Sequence, residues 1–239
     1  MKIKLCGFKE RSSLNLALTY NPDYIGFIFY KKSHRYVTPT QVRSLKENLS
    51  LPSHNSNSNN DNSTQSHTQH RPKFIGVFVN PSLETLIETI RIADLDGVQL
   101  CGSEPSELLK SLKKTLNHLI IWKAFRLKNI QTFQTAQKSY AHVLENKHIL
   151  NAILLDSYDP NAYGGTGHPL ETSFLTDWLT LKQNLVLAGG ITVEKLPYFF
   201  QKNVYALDVS STLENNHHQK DPVKITHFMQ TFNNLKISH

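Results

Sequence analysis

The sequence predicts a (β/α)8 barrel, an α/β fold of parallel strands with helices between them, and three observations lead there. Eight short apolar, β-rich runs recur along the chain, and segments of helical spacing separate several of them. Removing one polar excursion of 23 residues leaves 216 of the 239, close to the length of a compact barrel. An open doubly wound sheet is the competing architecture. No Gly-x-Gly-x-x-Gly follows the first apolar run, which argues against a dinucleotide-binding sheet.

The elements follow in chain order. Strands are expected over Lys2–Cys6, Tyr24–Phe29, Phe74–Val79, Gly97–Leu100, His118–Ala124, Ala152–Asp156, Asn184–Ala188 and Val204–Val209. After the second strand, Thr38 with Gln41 three residues on forms a capping-box pattern. It opens a helix over Pro39–Leu49 with Val42, Leu45 and Leu49 on one face. Asn80-Pro81 starts a helix whose face is Leu83, Leu86, Ile87 and Ile90. Ser103 is the expected cap of a helix carrying Leu108, Leu109, Leu112 and Leu116. Ile130, Phe133, Ala136, Tyr140 and Val143 mark the next. Asp221-Pro222 opens the last, with Phe228, Met229, Phe232 and Leu235. The segment after Thr192 has the weakest helical signal, because Pro197 interrupts it.

Ser50–Pro72 holds almost no apolar side chain and reads as a disordered Asn/Ser/His-rich insertion within a single domain, between the second helix and the third strand. A loop from helix to strand lies on the N-terminal face of a barrel, away from the chemistry. Its histidines, His54, His67 and His70, are read as solvated residues of this insertion rather than as metal ligands.

Composition excludes several classes. No apolar run approaches the ~18–20 residues of a membrane span, and the N-terminus does not read as a signal peptide. Two cysteines, Cys6 and Cys101, cannot build a disulfide framework, and no spaced partners suggest zinc. A cytoplasmic protein with no membrane partner is expected, and a monomer is the default. Net charge is +7, of which residues 1–49 carry +6, residues 50–72 carry none and the remainder +1. Such a basic segment suits an anionic metabolite or a phosphate backbone.

Barrel chemistry sits at the C-terminal ends of strands. There the sequence places Cys6-Gly7, Tyr30 to Tyr36, Gln99-Leu100-Cys101-Gly102, Asp156-Ser157, Gly164-Gly165-Thr166-Gly167, Gly189-Gly190 and Asp208-Val209-Ser210-Ser211. This set, with Ser33-His34-Arg35-Tyr36-Val37-Thr38-Pro39, Gly76-Val77-Phe78-Val79-Asn80, Val98-Gln99-Leu100 and Lys220-Asp221, resembles the phosphoribosylanthranilate isomerase family of TIM barrels. The resemblance runs from Ile3 to Phe228, broken mainly by the insertion. Each motif alone is weak; together and in order they are specific.

The resemblance implies an Amadori rearrangement of N-(5-phosphoribosyl)anthranilate to 1-(2-carboxyphenylamino)-1-deoxyribulose 5-phosphate, a step of tryptophan biosynthesis that needs no metal or organic cofactor. An acid must protonate the ribose ring oxygen, and a base must then remove the C2 proton of the Schiff base. By resemblance Cys6 is the base and Asp156 the acid. Arg35 would grip the anthranilate carboxylate, as a guanidinium can do bidentately. Gly189, Gly190, Ser210 and Ser211 would bind the phosphate. Gly165 and Thr166 would cover the substrate, and Asp208 would orient the phosphate loop or touch substrate. A free thiol titrates near ~8.5 and a free carboxyl near ~3.9, so both catalytic assignments require tuning by surroundings.

The chain departs from the family pattern at four places. Cys101 stands where a histidine is usual, and Leu170-Glu171-Thr172 where Phe-Asp-Trp is common. Thr212 and His218 replace glycines that could supply positive φ or close approach. Two other readings remain beside the isomerase. One is a different phosphate-binding barrel enzyme, against which Cys6, Asp156 and the Arg35 segment argue. The other is a non-catalytic basic barrel that binds nucleic acid or a protein, for which no aromatic–basic RNA motif is present.

Overall fold

A computed structural model of the chain describes residues 1–47, 49, 71–127, 130–146, 148–157, 183–202 and 204–238. Eight parallel strands close into a barrel in sequential order: β1 (Lys2–Cys6), β2 (Tyr24–Ile28), β3 (Lys73–Phe78), β4 (Gly97–Leu100), β5 (Ile120–Leu127), β6 (Ala152–Ser157), β7 (Leu185–Ala188) and β8 (Ala206–Val209). Each lies where the apolar runs predict it, within a few residues at either end. β1 pairs with β8 and so leaves no open edge among the eight.

Alternation along the strands sorts their side chains into two cores. One face of each strand packs outward under the helices, as Ile3, Leu5, Phe74 and Leu207 do. The other fills the barrel with Tyr24, Ile75, Trp122, Leu154 and Val186. Lys4 is fully buried among the inward set, with its Nζ 6.0 Å from the Trp122 ring.

The helices differ from expectation mainly at their ends. α1 (Arg11–Leu18) has no counterpart in the sequence analysis. Leu14, Leu16 and Leu18 recur every second residue, and Glu10 offers no side-chain cap, so the helical period is hidden. α2 (Pro39–Lys46) keeps the full capping box, with Gln41 N donating to Thr38 Oγ1 and Thr38 N to Gln41 Oε1. It ends three residues short of Leu49.

α3 (Leu83–Ala93) is capped by Ser82, whose side chain accepts from Thr85 N. α4 (Ser106–Thr115) starts after Pro105 and has no side-chain cap. Ser103 instead belongs to the preceding loop, where its N–H donates to Asn80 Oδ1 at 2.6 Å. The loop is held by Glu104, which accepts from Asn80 N and Gly102 N.

α5 spans Ile130–Leu144 as expected. After Thr192 comes a 3₁₀ turn, Val193–Lys195, and then α6 (Leu196–Phe200). Pro197 does not interrupt this helix; it lies in the first turn, where its missing N–H has no partner to lose. α7 (Pro222–Ser238) closes the fold, with Asp221 Oδ1 accepting from Val223 N and Lys224 N.

Most of the expected insertion, residues 50–70, lies outside the described residues. Its last members do not. Arg71 Nη2 stands 3.8 Å from Asp96 Oδ2 beside the start of β3, so the chain has rejoined the barrel by then. Among the described residues, no helix is long and apolar enough to cross a membrane.

Candidate active site

The C-terminal mouth of the barrel opens into a cleft. Cys6, Arg35, Asp156, Gly189, Gly190, Asp208, Ser210 and Ser211 all line it, although they come from five separate stretches of chain. Eight of the ten residues singled out from the sequence are thus brought together. Gly165 and Thr166 lie outside the described residues, as does Glu171.

The floor is built by β1 and its neighbours. Register sets Lys4 beside Asp208 on β8, and Lys4 Nζ donates to both carboxylate oxygens at 2.9 Å. Two residues on, Cys6 emerges on the same inward face. β2 places Gly26 opposite it, where a Cβ would stand 2.5 Å from Cys6 Sγ. The thiol therefore occupies space that only a glycine leaves open.

Charge tunes this floor. Burial would pull the Lys4 ammonium down, but Asp208 and Cys6 more than offset it, so Lys4 titrates above the usual lysine range. Burial pushes the Cys6 thiol up. Lys4 opposes that rise, Asp208 adds to it, and Lys220 opposes it more weakly. Cys6 thus sits beside a buried cation that favours its thiolate, in surroundings whose burial opposes it.

The rim is organised by Glu214, a residue the sequence analysis did not single out. Arg35 Nε donates to Glu214 Oε1 at 2.6 Å and Nη2 to Oε2 at 2.7 Å. Lys220 Nζ donates to Glu214 Oε1 and to Ser210 O, both at 2.8 Å. Burial alone would raise the Glu214 carboxyl, but Arg35 and Lys220 hold it down to about 2. Glu214 uses the Nε–Nη2 edge of the Arg35 guanidinium and so fixes the plane of that group at the rim. Lys4 and Arg35 thus spend part of the basic surplus of residues 1–49 inside the protein.

The remaining wall comes from the turns after β7 and β8. Gly189 and Gly190 both have positive φ, +84° and +58°, a backbone that residues with a side chain rarely adopt and that leaves their N–H groups unscreened by a Cβ. Ser210 precedes a 3₁₀ turn, Ser211–Leu213, and its hydroxyl donates to Cys6 O at 3.1 Å. That bond ties the turn to the end of β1.

Three of the departures can be placed. Cys101 lines the cleft, accepts from Gln99 Nε2 at 3.4 Å, and is pushed up to about 12 by burial against that bond. Thr212 sits in the 3₁₀ turn and also lines the cleft. His218 has φ +57°, so this position does need the left-handed backbone that glycine adopts more cheaply.

A cleft at this end of a barrel, with a thiol, a carboxylate, an arginine and paired glycines, invites comparison with known proteins. The family model described as N-(5'phosphoribosyl)anthranilate (PRA) isomerase matches residues 48–231. The N-(5'-phosphoribosyl)anthranilate isomerase of Acaryochloris marina is 32% identical over 238 residues, covering 99% of this chain and 100% of that protein. The dimeric phosphoribosylanthranilate isomerase of Thermotoga maritima superposes with a TM-score of 0.76 at 25% identity, over 98% of this chain and 99% of that one. A phosphoribosylanthranilate isomerase structure solved with reduced 1-(o-carboxyphenylamino)-1-deoxyribulose 5-phosphate superposes with a TM-score of 0.73 at 24% identity, over 98% and 99% of the two chains. By the family match and the full-length relative together, this chain belongs to the N-(5'-phosphoribosyl)anthranilate isomerase family.

Proposed function

We propose that this chain performs the family's isomerisation with Cys6 as general base and Asp156 as general acid. The reaction is the Amadori rearrangement of N-(5-phosphoribosyl)anthranilate in tryptophan biosynthesis, and its substrate is a phosphorylated small molecule. The observation that carries the assignment is the gathering of Cys6, Asp156, Arg35 and the glycine and serine turns around one cleft.

The steps balance without an external reductant. Asp156 gives its proton to the ribose ring oxygen, the C1–O bond breaks, and a cationic Schiff base remains at C1. Cys6, as thiolate, takes the C2 proton, and the electron pair moves into C1=C2 to neutralise the nitrogen. The resulting enaminol gains a proton at C1 and loses one from the C2 hydroxyl. C1 is reduced and C2 oxidised within one molecule, so the enzyme is an intramolecular oxidoreductase of the aldose–ketose type.

The other residues position the substrate. Arg35, oriented by Glu214, grips the anthranilate carboxylate. Gly189, Gly190, Ser210 and Ser211 hold the phosphate, and Gly165 and Thr166 cover the substrate. Asp208 acts through Lys4, keeping a cation beside the thiol. The Schiff base adds a second positive charge near Cys6 as the proton is needed, which favours the thiolate at that moment.

Loss of substrate fluorescence, with N-(5-phosphoribosyl)anthranilate generated in situ, tests the reading. Turnover by the folded wild type is expected, and its absence overturns the reading. The pH profile tests the base. Below the pKa of a thiol the thiolate fraction grows with pH, so kcat/KM is expected to rise by up to roughly tenfold per unit from pH 7 to 9. A flat profile over that range would remove Cys6 from the role.

Two further readings complete the proposal. The large apolar residues exposed among the described ones are Tyr198, Val223 and Ile237, and Val223 and Ile237 lie at opposite ends of α7. Such scattered residues do not make a subunit interface, and the chain is proposed to be a monomer. A dimer mass in sedimentation equilibrium would contradict this. Two free cysteines, one of them catalytic, suit the reducing cytoplasm, which cell fractionation checks.

A further inference from the structure

The rim of the cleft carries two histidines that the isomerisation does not use, beside the Glu214 carboxylate that orients Arg35. His34 Nε2 stands 3.7 Å from Glu214 Oε2, and the His34 and His218 rings lie with centroids 4.4 Å apart. One donor atom from each of His34, Glu214 and His218 falls within 4.8 Å of the other two. We propose that these three residues bind a divalent transition-metal ion of the zinc class, which competes with Arg35 for the Glu214 carboxylate.

The chemistry of the donors selects the ion. Two imidazoles and a carboxylate suit zinc, nickel or copper, whereas magnesium and calcium prefer sites built wholly of oxygen. Zinc holds its ligands at ~2.0–2.2 Å, so the three donors must close by about 1 Å. Both histidines are exposed, and rotation of their rings supplies that movement.

The backbone supports the same reading. His218 occupies φ +57°, a left-handed backbone that non-glycine residues adopt at a cost. The cost is borne at the one place that brings a second imidazole over His34. Asn215 fixes this turn, its Oδ1 accepting from His217 N and Gln219 N, while His218 N donates to Asn215 O. The buried carboxylate is already held by Arg35 and Lys220, so only the two imidazoles have to move.

Coupling to the cleft follows from shared atoms. Oε2 of Glu214 is both the oxygen nearest His34 and the acceptor of Arg35 Nη2. An ion on that oxygen weakens one of the two bonds that orient Arg35. Occupancy is therefore expected to raise KM for a carboxylate-bearing substrate while leaving kcat nearly unchanged. This coupling rests on the isomerase reading; the binding itself does not.

Calorimetric titration of the full-length protein with Zn²⁺ provides the test, with His218→Gly and His34→Ala beside the wild type. Glycine suits the backbone at 218, so the first variant is expected to fold. One saturable equivalent is expected in the wild type, weakened at least roughly tenfold in each variant. Absence of saturable binding below about 1 mM overturns the site. So does an unchanged isotherm in either variant, since the ion then sits on other histidines or on the cysteines. In the fluorescence assay, Zn²⁺ is expected to raise KM in the wild type and not in His218→Gly. Intact binding without the KM change would refute the coupling alone, and absent turnover would refute the isomerase reading while leaving the binding result standing.

Discussion

Cys6→Ala and Asp156→Asn are each expected to lower turnover of N-(5-phosphoribosyl)anthranilate by about 10²–10⁴-fold, the range for a lost proton-transfer group. The two losses have different origins. Alanine at 6 removes the acceptor of the C2 proton and leaves the acid in place, so ring opening can still occur but enolisation cannot. Asparagine at 156 keeps the shape of the buried side chain and removes the proton donor. Neither change is expected to alter the far-UV circular dichroism spectrum, because Cys6→Ala removes a single sulfur atom and Asp156→Asn keeps the side chain's shape. Full activity in a folded variant would refute the role of that residue. The double variant adds a check: losses much smaller than additive are expected if the two groups serve one reaction path.

Lys4→Met has the second large effect, and it falls first on stability. Lys4 and Asp208 form a buried bidentate pair, with side chains 0% and 7% exposed. Methionine fills a similar volume but leaves the Asp208 carboxylate buried without its cation, a loss of about 3–5 kcal/mol. Urea unfolding measures it directly. A change below about 1 kcal/mol would show that water replaces the ammonium and that the pair matters little. Asp208→Asn on top of Lys4→Met removes the stranded charge and is expected to recover part of the stability. The same substitution bears on chemistry. Lys4 is the strongest influence holding the Cys6 thiol down against burial. In any folded Lys4→Met protein, the rise of kcat/KM with pH is therefore expected to shift to higher pH.

The sequence and the folded chain disagree in instructive places. All eight strands are visible in the sequence, since strands buried in a barrel are short, dense in apolar residues and bounded by turns. α1 is not, because its leucines recur every second residue and its buried face is only Ser13, Leu14 and Ala17. Pro197 reads as a helix breaker until the helix is found to begin just before it. Ser103 reads as a cap, yet Asn80 on the neighbouring loop claims its backbone. At Ser103 a contact from elsewhere in the fold overrides a local preference, whereas at α1 and Pro197 the local signal is itself ambiguous.

The site divides along the same line. Cys6, Arg35, Asp156, Gly189, Gly190, Asp208, Ser210 and Ser211 are legible because barrel chemistry gathers at strand ends and the family motifs mark those ends. Lys4 and Glu214 are not. Lys4 looks like an ordinary surface lysine of a short strand, and only closure of β1 against β8 sets it beside Asp208. Glu214 meets Arg35 across 179 residues of chain, a separation that no local pattern encodes. His218 belongs partly to both: the sequence shows a histidine where glycine is usual, and the structure shows that glycine's backbone is kept and an imidazole is delivered to His34. What the sequence by itself determined was the barrel, its order of strands and the strand-end residues that line the cleft, because periodicity and strand-end motifs are local properties. Only the tertiary structure decided which charges are buried together, and so how the thiol, the arginine and the rim are tuned. Electrostatic energy depends on distance through space and on exclusion of water, and neither exists until the barrel has closed.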